Sequence, residues 1–263
     1  MNNDHGLIIL SLHRVGLPPR EAKIRGLFIS PRLLKLQVLM LRSMGYRFVT
    51  LSEAASYEGE KRAVITFDDG YADNYYNALP VLRQLNVPAT LFPITGDIGY
   101  KNVVWDEAGE KLPSDMLDWS MIERLQSAGW EIGSHAEKHV HLERYSESQQ
   151  RQFISRSLDA IEERTGVRPT SFAYPYGSYS DITKKILREL GIMHAVTIKR
   201  SNPTGDMLEL PRVPIGGRFF FHYFKNARRA SEAAGKAEVI RGMFVQAFTP
   251  VAPQPALPVF ATD

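Results

Sequence analysis

Ala63-Val64-Ile65-Thr66-Phe67-Asp68-Asp69-Gly70 is a short apolar run that closes on two adjacent carboxylates and a glycine. The run has the length of a buried strand, and the glycine marks where the chain turns away from it. Successive side chains of a strand point to opposite faces, so neighbouring aspartates serve one site only if the chain bends at them. Gly70 permits that bend, because it adopts dihedrals that a side chain resists. One carboxylate can then bind a cation while the other stays free to take a proton. Further along, Ser134-His135-Ala136-Glu137-Lys138-His139 sets two histidines four residues apart, a spacing that one helical turn would bring to the same side. An Asp-His-His set leaves open positions for water and substrate, as a catalytic divalent site requires. The two stretches together point to metal-assisted hydrolysis, in which a cation lowers the pKa of water and a nearby carboxylate accepts the proton.

Outward from these stretches, strands alternate with helical patterns. Strands are expected at 7–12, 63–67, 89–94, 130–133, 170–173, 192–198 and 208–215. Helices are expected at 31–44, 74–85 with a kink or break at Pro80, 147–165 and 182–190, the last two stopped by Gly166 and Gly191. Ser120-Met-Ile-Glu123 has the form of a capping box and predicts a further helix ending at Gly129. Residues 95–113 read as a long loop. Alternation of this kind predicts a parallel sheet, open or closed into a barrel, with chemistry beyond the carboxyl ends of the strands. His13, Asp68-Asp69, His135, Tyr174-Pro175-Tyr176-Gly177 and Arg212 all fall at or near such ends.

Composition narrows the classes. The chain has 263 residues, 44% of them hydrophobic, enough for one large α/β domain with a substantial core. Lysines and arginines number 32 against 29 acidic residues and are spread along the chain, which argues against nucleic acid as a partner. The absence of cysteine excludes thiol nucleophiles, disulfides and thiolate zinc sites. The start, Met-Asn-Asn-Asp-His, lacks the basic segment of an export signal, and the run 7–12 is too short for its apolar core. The expected compartment is therefore cytoplasmic, or periplasmic or extracellular if a leader has been removed.

The three stretches Thr66-Phe67-Asp68-Asp69-Gly70, Ser134 to His139 and Phe172-Ala173-Tyr174-Pro175-Tyr176-Gly177 resemble, in order and separation, the first three motifs of the polysaccharide deacetylases (carbohydrate esterase family 4). The resemblance spans about residues 7–215 and implies a distorted (β/α)7 barrel in an α/β single domain. It implies metal-dependent removal of N-acetyl groups from an N-acetylglucosamine-containing carbohydrate. Carried over by position, Asp68 is the general base. Asp69, His135 and His139 hold one divalent ion, zinc by preference, with nickel, cobalt or iron as neighbours in ligand taste. The backbone N–H of Tyr176 helps to hold the oxyanion.

The chain also departs from the family pattern. Ala173 stands where many members have an arginine that tunes the base, Ala136 where serine or threonine is usual, and no Leu-x-His motif follows residue 200. Together with His13-Arg14-Val15, these departures resemble the exopolysaccharide poly-N-acetylglucosamine deacetylase branch. That resemblance makes His13 the candidate general acid, in preference to His222, and Arg212 the candidate cation beside Asp68.

Tyr71, Trp105 and Tyr174 are the aromatic residues expected to meet sugar, and Trp119 and Trp130 are expected in the core. Residues 1–217 are assigned to the barrel, 218–248 to a helical segment packed on it and 249–263 to a Pro-rich tail. A basic, aromatic-rich 218–248 makes membrane-surface association a minority reading. Two other functions stay open at this point: an amidohydrolase for a small or lipid-linked amide, and a non-catalytic carbohydrate-binding barrel.

Overall fold

The computed structural model describes residues 6–57, 59–101, 103–105, 110–199 and 205–215. Around its centre run seven parallel strands: β1 (Leu7–Leu12), β2 (Arg62–Asp69), β3 (Thr90–Pro93), β4 (Glu131–Ile132), β5 (Ser171–Ala173), β6 (His194–Val196) and β7 (Val213–Pro214). Parallel pairing runs continuously from β7 through β1, β2 and β3 to β4. A bridge between Ser134 and Phe172 carries the sheet on to β5, which pairs with β6. A bridge between Val196 and Leu210 then returns it toward β7. The sheet thus closes into a distorted seven-stranded barrel, stitched by single bridges at two of its seams.

Strand parity builds the layers. Ala63, Ile65 and Phe67 of β2 join Leu10, Leu12 and Leu91 in an outer core. That core packs against helices α1 (Pro31–Ser43), α2 (Leu79–Gln84) and α3 (Trp119–Ser127). Val64, of the opposite parity, meets Ile9, Phe92, Ala173 and Val196 inside the barrel. A third cluster lies under helices α4 (Glu147–Thr165) and α5 (Asp181–Glu189). Each fully buried Leu, Ile or Phe contributes roughly 1.5–3 kcal/mol, so the rim of the barrel rests on a densely packed base. Trp130 lies in this packing, stacked 5.1 Å from Phe67.

Local chemistry explains where helices start. Ser30 caps α1 by accepting from Leu33 N–H with Pro31 in the first turn, and Ser146 and Gln149 form a reciprocal capping box on α4. The break expected at Pro80 takes the form of a change of helix type: a π-helical turn over Asn74–Ala78 gives way to α2 at Leu79, with Pro80 in the first turn of α2. Four expectations are corrected. The cap of α3 is Asp118, which accepts from Met121 N–H, and Ser120 only donates its hydroxyl to that same carboxylate. Within 95–113 lies an antiparallel hairpin, Val103–Trp105 with Glu110–Ser114, rather than a continuous loop. The last strand shrinks to β7 and the Leu210 bridge. His135 and His139 sit on a bent connection after β4, not on a helical turn. The proposed helical segment and tail at 218–263, with His222, lie outside the described residues.

Candidate active site

The carboxyl ends of the strands enclose a cleft of about 150 Å³, lined among others by His13, Asp68, Asp69, His135, His139 and Arg212. Asp68 and Asp69 end β2, where strict alternation would send them to opposite faces. The backbone prevents this: Asp69 has φ 73°, Gly70 has φ 85°, and Gly70 N–H donates to the Asp68 carbonyl. Aspartate tolerates this left-handed region better than most residues. Gly70 has no such alternative, because a Cβ there would also press on Pro93 at 3.1 Å. The bend brings both carboxylates to one rim.

Asp69 is buried, and its Oδ1 lies 3.4 Å from His135 Nε2 and 3.6 Å from His139 Nε2. The same Oδ1 has no hydrogen-bond partner among the described residues. His135 Nδ1 is 2.7 Å from the carbonyl of Ala173; a carbonyl only accepts, so Nδ1 carries a proton, and Nε2 is the atom turned toward Asp69. Burial, against the pull of Asp69, pushes His139 down to about 4, leaving it neutral at physiological pH. One ligand atom from each residue falls within 4.8 Å of the others. A buried carboxylate and two imidazoles converge there on one point, a donor set that a bound cation completes. The donor set suits zinc or a first-row neighbour better than magnesium or calcium. Ala136, at φ 64° and fully buried, makes the bend between the two histidines.

Asp68 is held differently. Arg212 grips it with two parallel bonds of 2.7 Å, Nη1 to Oδ1 and Nη2 to Oδ2. Arg212 also donates to Thr66 Oγ1 at 3.0 Å and to the Thr197 carbonyl at 3.2 Å. Burial alone would raise the Asp68 pKa, but the charge and hydrogen bonds of Arg212 outweigh it and hold the carboxyl below its usual range. His13 Nε2 lies 3.9 Å from Asp68 Oδ2, with 28% of the side chain exposed to the cleft. Tyr176 has φ 56°, and its ring is held 4.1 Å from His139 and 4.3 Å from His141, nearly parallel to the latter.

The aromatic candidates divide. Tyr71 lines the cleft, and burial, then the negative charge of Asp69, push its phenol well above the usual value, so it remains a donor. Tyr174 also lines the cleft but is almost wholly buried: its hydroxyl donates to the Leu208 carbonyl at 2.9 Å and its ring stacks on Tyr179. Trp105 ends one strand of the hairpin, and its side chain lies outside the described residues. Sequence reasoning passed over Thr66, which shares the inward parity of Asp68 two residues on, and over Asp73 and Asn74, discussed below.

Seven strands closed around a rim of paired aspartates and histidines define a hydrolase barrel of the deacetylase kind. The polysaccharide deacetylase family model matches residues 55–195, more than half of the chain, and the chain belongs to that family, hydrolases of N-acetyl amide bonds in polysaccharides. Poly-beta-1,6-N-acetyl-D-glucosamine N-deacetylase of Staphylococcus epidermidis is 28% identical over 78% of this chain and 74% of its own length. YxkH of Bacillus subtilis is 30% identical over 66% of this chain, which spans 61% of that relative. The solved structure of IcaB from Ammonifex degensii superposes with a TM-score of 0.72 and 29% identity, over 84% of this chain and 97% of that one. No helix among the described residues is long and apolar enough to cross a membrane.

Proposed function

We propose that this chain is a metal-dependent N-deacetylase of a poly-N-acetylglucosamine-type polysaccharide. The likeness to the staphylococcal enzyme and to IcaB supports the substrate class. The observation that carries the reading is the division of labour between the two aspartates: Asp69 faces two histidines, while Asp68 is locked by Arg212 beside His13. A divalent cation, zinc by preference, held by Asp69, His135 and His139 supplies acidity to water and polarises the acetyl carbonyl.

The residues of the chain do the rest. Asp68, kept ionised, accepts the proton of the attacking water. The N–H of Tyr176 donates to the carbonyl oxygen as it gains charge, a role that needs a fixed donor. The left-handed backbone and the ring packed between two histidines supply that fixity. Arg212 holds Asp68 in orientation and keeps it anionic until it takes that proton. His13 protonates the departing amide nitrogen, since without that proton the tetrahedral intermediate collapses back to substrate. Tyr71 remains protonated beside Asp69 and contacts the sugar. Release of free amine from β-1,6-linked N-acetylglucosamine oligomers, by protein stripped of metal and reloaded, tests the reading. Turnover of small amides with none on oligomers would replace the substrate class, and no turnover with metal bound would leave a binding barrel.

A further inference from the structure

Residues Asp73, Asn74 and Asn77 open the helical stretch that follows the aspartates, where polar side chains ordinarily cap their own helix. Here none of the first turn does: Asp73 makes no side-chain cap. Its Oδ1 instead accepts from Val15 N–H at 2.9 Å and its Oδ2 from Arg14 Nε at 3.0 Å. Asn77 Nδ2 donates to the Val15 carbonyl at 2.6 Å. Asn74, with no exposed surface, donates from Nδ2 to the His13 carbonyl at 2.8 Å and to Asp73 Oδ1 at 3.1 Å. Both of those partners only accept, so the amide can stand only one way round, and its Oδ1 is left without a partner among the described residues. A buried polar atom left unpaired costs stability, and the gain that offsets it is the grip on residue 13.

The turn that presents these side chains is π-helical over Asn74–Ala78, a rare geometry found often at functional sites. From the other side, the Arg14 guanidinium lies between the rings of Phe28 and Tyr71 and donates to Ser114 Oγ at 2.7 Å, tying the hairpin to the same segment.

We infer that Asn74 is the positioning residue for His13, with Asp73 and Asn77 fixing the backbone on its far side. The inference rests on the reading of His13 as the general acid. It makes one continuous stretch, residues 66–77, responsible for three things: the base, a metal ligand and the placement of the acid. Parallel pairing of Leu12 with Phe67 brings residue 13 alongside Asp68, and Asn74 then fixes how the chain leaves the strand at His13.

The test compares two substrates in the metal-loaded enzyme: an N-acetylglucosamine oligomer, whose amine must be protonated to leave, and para-nitrophenyl acetate, whose leaving group needs no acid. Asn74→Ala is expected to lower kcat on the oligomer by about 10–100-fold, the scale of a roughly 1 Å misplacement, with KM and metal content unchanged. Ester hydrolysis should stay within about threefold, because general acid help is not needed there. In the cycle with His13→Ala, the double variant should be no slower on the oligomer than His13→Ala alone, since Asn74 acts through that residue. Equal losses on both substrates, full additivity in the cycle, or native turnover in Asn74→Ala would overturn the inference. Native oligomer turnover in His13→Ala would instead overturn the reading of the acid on which it rests. Should Asn74→Ala not fold, Asn77→Ala probes the same grip at Val15 and is read by the same three criteria.

Discussion

The two ends of the barrel both bury polar groups but treat them in opposite ways. At the foot, where the strands begin, Glu131 Oε2 accepts from Ser52 N–H at 3.0 Å and from Thr90 Oγ1 at 3.1 Å, and its Oε1 from Ser171 Oγ at 2.7 Å. Thr90 in turn accepts from Leu51 N–H. Every oxygen of that carboxylate has a partner. At the rim, Asp69 Oδ1 has none among the described residues. The Glu131 network is complete as folded, whereas Asp69 at the rim is arranged to be completed by something it binds. Buried polar groups are therefore poor evidence of a site until their hydrogen bonds are accounted for; at Asp69 the unpaired atom is a carboxylate oxygen that two imidazoles face, and that combination points to a ligand.

The largest test of this contrast removes the ligands. His135→Ala/His139→Ala should lose the metal and all measurable deacetylation, as metal analysis after reloading will show. One ion per chain retained in that variant would break the assignment. Asp69→Asn sharpens the point, because it removes a buried charge that only a cation balances. The metal-free variant should melt at or above the temperature of metal-free native protein, yet gain nothing on adding zinc, whereas native protein gains by mass action. A metal-free variant less stable than its native counterpart would mean that the rim carboxylate is satisfied within the protein after all.

Next in size is Arg212→Gln. Removing one partner of a buried pair costs about 3–5 kcal/mol, and the loss should show in thermal melts. The pH dependence has a definite sign. Asp68 is held below its unfolded value, so the pair contributes stability above that value, roughly pH 4, and loses it as pH falls through the lower folded value. Without Arg212 the acid limb of the pH–rate profile should move upward, because burial then acts unopposed. An unmoved acid limb with full turnover would detach Arg212 from the base.

Much of this was legible in the sequence, for local reasons. Leu7–Leu12 and Glu147–Thr165 carry their own signals, an apolar run in the first and caps at both ends of the second. The bend at Asp69 and Gly70 follows from the demand that two neighbouring carboxylates share a site. What the sequence concealed is conformation set from outside. A four-residue spacing fits a helical turn, but Ala136 takes a left-handed dihedral because Thr95 and Gly96 N–H groups bind the Ala136 and Glu137 carbonyls and shape a loop. Ser120 and Asp118 are both good caps, and only the chain's entry angle decides between them. The hairpin holding Trp105 has strands too short to show alternation. Asn74 reads as an ordinary helix-start residue, and its partner is 61 positions away.

The smallest expected effect belongs to the foot, and it decides whether the two ends are independent. Glu131→Ala strips partners from Ser52 N–H and from the hydroxyls of Thr90 and Ser171. The hydroxyls can rotate to other acceptors, but the backbone N–H cannot, so the cost should be about 1–3 kcal/mol. For a chain of this size that is a fall in Tm of about 2–4 °C per kcal/mol. Metal affinity and kcat should be unchanged, because the interior layer of Ile9, Val64, Phe92 and Val196 separates Glu131 from the rim and has no second packing to adopt. Melting curves and metal titrations on the same preparation measure both quantities together. Weakened metal binding in Glu131→Ala would show the two ends to be coupled through that layer, and the completeness of the Glu131 network would then be part of how the rim is held open for its ion.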